Sequence, residues 1–129
     1  MKKVYQTVFD NVYGNCLSAC IASMLELDIG DVPNPWEETQ DPIEFYKILN
    51  RWLEREHGHR LVVVEFDDKR SYIVDGMEYI NIGKNGQCCH AVIVKDGEVA
   101  HNPNKRDTKF KIGNVAAILF PVNQGHAVL

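Results

Sequence analysis

Gly14-Asn-Cys-Leu-Ser-Ala-Cys-Ile-Ala-Ser-Met-Leu-Glu-Leu27 is the stretch on which the reading of this chain turns. Leu17, Cys20, Ile21, Met24 and Leu25 recur at helical spacing, and Ala19, Ala22 and Leu27 carry the apolar surface almost all the way round. A helix apolar on most faces belongs inside a domain rather than on its surface. Asn15 suits the N-cap position after Gly14, and Asp28-Ile29-Gly30 marks the expected end. Cys16 then falls in the first turn, where unpaired backbone N–H groups and the positive end of the helix dipole favour an anion, here a thiolate. Such a cysteine is a candidate nucleophile. Cys16 and Cys20 can equally be small core residues one turn apart, since free Cys is among the most buried residue types.

The rest of the chain is read outward from that helix. Val4 to Phe9 is a short β-prone run, and Val32-Pro33-Asn34-Pro35-Trp36 is a loop because its prolines remove donors and hold their predecessors extended. Asp41 and Pro42 suit the N-cap and first position of a second helix, with Glu44 in its first turn. Phe45, Ile48, Leu49, Trp52 and Leu53 form its single apolar stripe, and His57-Gly58 ends it. Strands follow: Leu61 to Phe66, read as largely buried, then Tyr79 to Gly83, Cys89 to Val94 and Glu98 to His101. Lys109 to Ile112 and Val115 to Phe120 are two more. Helices first and an antiparallel meander afterwards predict an α+β fold.

With 129 residues the chain has room for one domain, 1–129, in which 121–129 reads as a tail. The net charge of −4 and a pI near 5.7 argue against nucleic acid or an anionic membrane surface as the main partner. Asn104-Lys105-Arg106-Asp107 is too short a basic run to alter that. No apolar stretch approaches the roughly 18 residues of a membrane span, and Met1 to Phe9 lacks the apolar core of a signal peptide. A cytoplasmic location is the default expectation, and the cysteines at 16, 20, 88 and 89 are expected as reduced thiols.

A nucleophilic thiol needs a base in hydrogen-bond reach, and the base needs an orienting group. His57 and His59 flank a helix-ending glycine among charged residues and read as solvated; His126 lies in the tail. His90 opens an apolar strand where an imidazole has no packing purpose, although a half-buried structural histidine would also suit that place. The turn register decides its neighbour. A two-residue Asp96-Gly97 turn pairs Lys95 with Glu98 and puts His101 on the His90 face, suggesting a His-His metal cluster. A three-residue turn, with Gly97 left-handed, puts Asn102 opposite His90 and sends His101 to the other face.

These residues carry a resemblance. A Cys opening a helix as Gly-Asn-Cys-x-x-Ala-Cys, a later His opening a strand as His-Ala-Val, and then Asn-Pro resembles the papain-like cysteine peptidase superfamily. Closest are small peptidase C39-like proteins, among them bacterial and bacteriophage members. Gly14 to Leu27 and His90 to Pro103 carry the match, about a fifth of the chain.

The resemblance implies a helix packed on an antiparallel sheet with a catalytic cleft between them. It implies Cys16 as nucleophile, His90 as general base and acid, and Asn102 as the residue orienting the imidazole by accepting its Nδ1 proton. It further implies a hydrolase or acyl transferase acting on a peptide or amide carbonyl through a thioester, with a peptide or protein as substrate and no cofactor. Family members often supply an oxyanion-hole Gln shortly before the Cys. Gln6, the only glutamine upstream, is the candidate here, although it stands ten positions before Cys16, further than the family pattern. The backbone N–H of Cys16 is a second donor. The loop from Asp28 to Gln40 could wall a substrate cleft, and Trp36 within it could equally plug the core.

Two other readings compete. A zinc module would draw on Cys16, Cys20, Cys88, Cys89, His90 and His101; Cys16-x3-Cys20 fits the zinc spacing, but Cys20 turns to the core and the adjacent Cys88 and Cys89 point to opposite faces of a strand. An inactive papain-like fold could instead bind a protein, for example as a phage product blocking a host factor.

Overall fold

The computed structural model describes residues 1–67, 75–86 and 88–122. The central helix, α1 (Cys16–Leu25), is buried from Leu17 to Ser23, as an all-round apolar helix must be. It ends earlier than Asp28. Glu26 takes the left-handed conformation (φ 58°), and its N–H and that of Leu27 return to carbonyls of the last turn. Short 3-10 turns at Ile29–Asp31 and Pro35–Glu37 follow. Helix α2 (Pro42–His57) forms as expected. Asp41 Oδ1 accepts the Ile43 N–H at 3.0 Å, and Gly58 supplies the left-handed C-cap with φ 61°. Its buried stripe is Phe45, Leu49 and Leu53.

Five strands complete the α+β fold: β1 (His59–Glu65), β2 (Glu78–Asn85), β3 (Cys88–Lys95), β4 (Glu98–His101) and β5 (Phe110–Pro121). All pairings are antiparallel, in the order β1-β5-β2-β3-β4, so the sheet is not a simple meander. β5 inserts between β1 and β2. The two short strands expected at 109–112 and 115–120 are this one long strand, bent in its middle rather than broken. Pro121 belongs to β5 opposite His59, and Val122 N donates to Gly58 O, so these two residues are part of the fold. The remainder of the expected tail, 123–129, lies outside the described residues, as does His126. Val4 to Phe9 joins no strand ladder.

Strand alternation gives the sheet two apolar faces. Ile80, Ala91, Ile93 and Ala117 pack against Leu17, Ile21, Phe45, Leu49 and Leu53 of the helices. Tyr79, Val92, Val94, Ala116 and Ile118 pack with Phe66, Met77 and Phe110 on the other face. β1 is an edge strand, not a largely buried one, and Val62 and Val63 are exposed. Asn50 of α2 binds both the N–H and the C=O of Leu61, occupying the outward backbone groups that an edge would otherwise offer to another chain.

The bend in β5 is a bulge opposite Ile82 to Lys84. Gly83 and Gly113 meet there, and a Cβ on Gly113 would stand 2.9 Å from the Gly83 Cα. The side chain of Asn81 takes up the backbone groups freed by the bulge, accepting from Gly113 N at 2.9 Å and donating to Gly113 O at 3.0 Å. This bend brings the Phe110 ring edge-on to His90, with centroids 5.9 Å apart.

Candidate active site

Cys16 stands at the N-terminal mouth of α1, half-buried. Asn15 occupies the N-cap position but makes no capping bond. Its Oδ1 instead accepts from Thr7 N and Val8 N, each at 3.0 Å, and its Nδ2 donates to Thr7 Oγ1. The reason is local: the backbone N–H of Asn15 binds Val8 O, which brings the 7–8 segment alongside the helix start. The first amides of α1 are thus left without a side-chain cap, and the helix mouth is open to an anion.

Those contacts close residues 9–14 into an excursion. Asp10 Oδ1 accepts from Val12 N and Tyr13 N to shape it, and a Cβ on Gly14 would lie 2.6 Å from Asp10 O. Gln6 thereby reaches the cavity that Cys16 lines despite the long sequence interval. Gln6 is buried. Its Nε2 donates one hydrogen to Val8 O at 3.0 Å, which leaves a second N–H, and its Oε1 has no hydrogen-bond partner.

His90 at the start of β3 is buried. The Cys16 thiol is near enough to raise the proton affinity of the ring. Nε2 lies 2.8 Å from Asn102 Oδ1. A carboxamide oxygen has no proton to give, so Nε2 carries one, and Nδ1 is the nitrogen left for Cys16. Asn102 therefore orients the ring through Nε2, not through Nδ1. Asn102 is itself held on three sides: Oδ1 also accepts from Asn104 N at 3.0 Å, and Nδ2 donates to Asp107 Oδ2 at 2.9 Å. Burial pushes the His90 pKa down. The interactions with Cys16 and Asn102 and the negative charges of Cys16 and Asp107 outweigh it, leaving the imidazole above its ordinary value.

The hairpin that delivers Asn102 combines the two expected registers. Asp96 (φ 53°) and Gly97 (φ 80°) make a two-residue turn, with Lys95 opposite Glu98. A bulge then shifts the ladder, so that Val94 faces Val99 but Ile93 faces His101. His101 consequently goes to the opposite face from His90, where its Nε2 binds Val4 O at 2.6 Å under the Tyr5 ring.

The donors considered for zinc do not converge. Cys20 is fully buried in the core, and burial, with the charge of Cys16 adding to it, pushes its thiol well up. Among the described residues no group of three or more His, Cys, Asp or Glu is arranged to hold a metal ion. All four cysteines are free.

Cys16 and His90 open on a cavity of about 640 Å3, which Gln6, Phe9, Trp36 and Cys89 also line. Trp36 packs on Phe45 with ring centroids 4.2 Å apart and also lines this cavity. A second groove of about 540 Å3 between α2 and β1 holds neither a thiol nor an imidazole. His57 and His59 sit at the α2–β1 junction, half-buried rather than solvated: His57 packs on Trp52, and His59 Nδ1 contacts His57 O.

Two residues of the site had no sequence signal of their own. Asp107 was part of a mixed polar loop, yet its side chain is fully buried behind Asn102. Tyr46 stood outside the apolar stripe read for α2. Burial pushes its phenol up, and the charges of Cys16 and Cys89 add to that shift. Comparison with protein-family models, with curated proteins and with solved structures finds no match for this chain. Among the described residues no helix is long and apolar enough to cross a membrane.

Proposed function

We propose that this chain is a thiol-dependent hydrolase or acyl transferase of papain-like type, acting on a peptide or amide carbonyl. The observation that carries the reading is that Cys16, at an uncapped helix mouth, and His90, whose ring is held by Asn102 Oδ1, line one cavity.

In this mechanism the Cys16 thiolate attacks the carbonyl carbon, and the carbonyl π electrons move to oxygen. The resulting oxyanion is met by the backbone N–H of Cys16 and the second N–H of Gln6 Nε2. His90 donates its Nδ1 proton to the leaving nitrogen as the C–N bond breaks, which leaves a thioester on Cys16. The neutral ring then takes a proton from water, or from an acceptor amine, as that nucleophile attacks the thioester. Expulsion of the thiolate, with the nucleophile's proton already on Nδ1, restores the starting thiolate–imidazolium pair. Asn102 keeps Nε2 protonated throughout and so holds Nδ1 as the exchanging atom.

A library of peptide, isopeptide and glutamine-amide substrates, offered to the wild type and to Cys16→Ala, tests this. Turnover by the wild type alone supports it. Turnover that survives in Cys16→Ala overturns it.

A further inference from the structure

We infer that Asp107 is a positioning residue for this site, the charge behind a neutral Asn. The inference rests on the thiol-enzyme reading above. Asn102 can fix the plane of the imidazole but brings no negative charge to stabilise an imidazolium. Asp107 supplies it from one step further back. Its Oδ2 accepts from Asn102 Nδ2 at 2.9 Å and lies 3.7 Å from His90 Nε2. Its Oδ1 accepts from Lys109 N at 2.8 Å, so both carboxylate oxygens are held.

Its side chain is fully buried, and a buried carboxylate is costly to keep without a cation nearby. Among the described residues the group that can become that cation is His90. The loop is shaped for the purpose. Asn104 N bonds Asn102 Oδ1, and Asp107 N bonds Asn104 O, so residues 102–107 fold back on themselves and return the carboxylate to the amide it must orient. Around the ring, α1 contributes Cys16, the loop contributes Asn102 and Asp107, β5 contributes the uncharged Phe110, and Cys89 precedes His90 on β3.

A purely structural Asp107 would affect folding without changing the proton affinity of His90. A positioning Asp107 sets both the amide orientation and the affinity. The imidazole of His90 is therefore titrated by NMR in the full-length wild type, in Asp107→Asn, and in the exchange variant Asn102→Asp/Asp107→Asn. The exchange keeps one carboxylate and one amide in the same buried pair, which protects folding if the single variant does not fold. A lowered His90 midpoint in a folded Asp107→Asn supports the inference, and an unchanged or raised one overturns it. If Asp107→Asn does not fold, the exchange variant decides: a midpoint at or above the wild-type value supports the inference, and one below it overturns it. The rate of iodoacetamide modification of Cys16 is read on the same wild-type sample. A Cys16 no faster than Cys88 and Cys89 contradicts the thiol-enzyme reading, whatever the titration shows.

Discussion

Asn15 donates its backbone N–H to the carbonyl of Val8 at 3.2 Å, and this contact makes the site. It folds residues 9–14 out of the way, brings Gln6 to the cavity of Cys16, and occupies the side chain that would otherwise cap α1. The uncapped helix mouth and the Gln6 amide are thus two consequences of one local arrangement.

Replacing Asn15 by Ala removes an acceptor shared by two backbone donors and a donor to Thr7. The expected loss of stability is roughly 2–4 kcal/mol, because the Thr7 and Val8 amides lose their partner in a partly buried place. Urea unfolding measures it. A change within about 0.5 kcal/mol, the usual range for a surface substitution, would contradict the role.

Gln6→Ala separates the oxyanion from the thiol. Amide turnover should fall by roughly 10²-fold or more, the usual effect of losing an oxyanion donor. Alkylation of Cys16 by iodoacetamide forms no oxyanion and should keep its rate. Parallel losses in both would mean that Gln6 acts by holding the fold.

Gly83→Ala probes the support behind His90. The added Cβ would lie 2.8 Å from Phe110 Cζ and 2.9 Å from Gly113 N, and the second of these is backbone that cannot easily give way. The variant should be destabilised by roughly 2–4 kcal/mol, with the Phe110 ring displaced from His90. Thermal unfolding and the NMR shift of the His90 ring report the two effects. A variant as stable as the wild type would show the bulge to be more yielding than its geometry implies.

The raised His90 pKa sets a pH dependence of stability. Burial lowers it, and the interactions with Cys16 and Asn102, with the charges of Cys16 and Asp107, more than offset that. The folded value therefore exceeds the unfolded one, about 6.5. Protonation of the ring contributes stability that is complete below the unfolded value and is lost as pH rises through the folded one. The stability difference between the wild type and His90→Gln should shrink as the pH rises above about 6.5, the unfolded value. A difference that widens over that range contradicts the shift.

Much of this was legible in the residues. The apolar circumference of α1 and the Asp41-Pro42 start with the Gly58 stop of α2 fixed both helices in kind, because burial and capping act locally. The insertion of β5 was not legible, since pairing between 59–65 and 115–121 leaves no mark in either segment alone. The hairpin was half legible. Asp96-Gly97 announced its turn, but the bulge that reverses the faces of His101 and Asn102 depends on what Val4 and His90 offer them in three dimensions. Gln6 looked too far from Cys16 because sequence distance takes no account of a closed excursion. Asp107 stayed hidden because nothing in a run of Asn, Lys, Arg and Asp tells that its one carboxylate turns inward.

The most direct test of the central claim is the rate at which each cysteine reacts with iodoacetamide at neutral pH, resolved by peptide mass analysis. Cys88 and Cys89 are exposed, Cys16 is half-buried and Cys20 is fully buried, so exposure alone would put Cys88 and Cys89 first. The account predicts the reverse, with Cys16 modified at least about tenfold faster than either and Cys20 last. Equal rates at all four, or Cys88 and Cys89 ahead of Cys16, would contradict it.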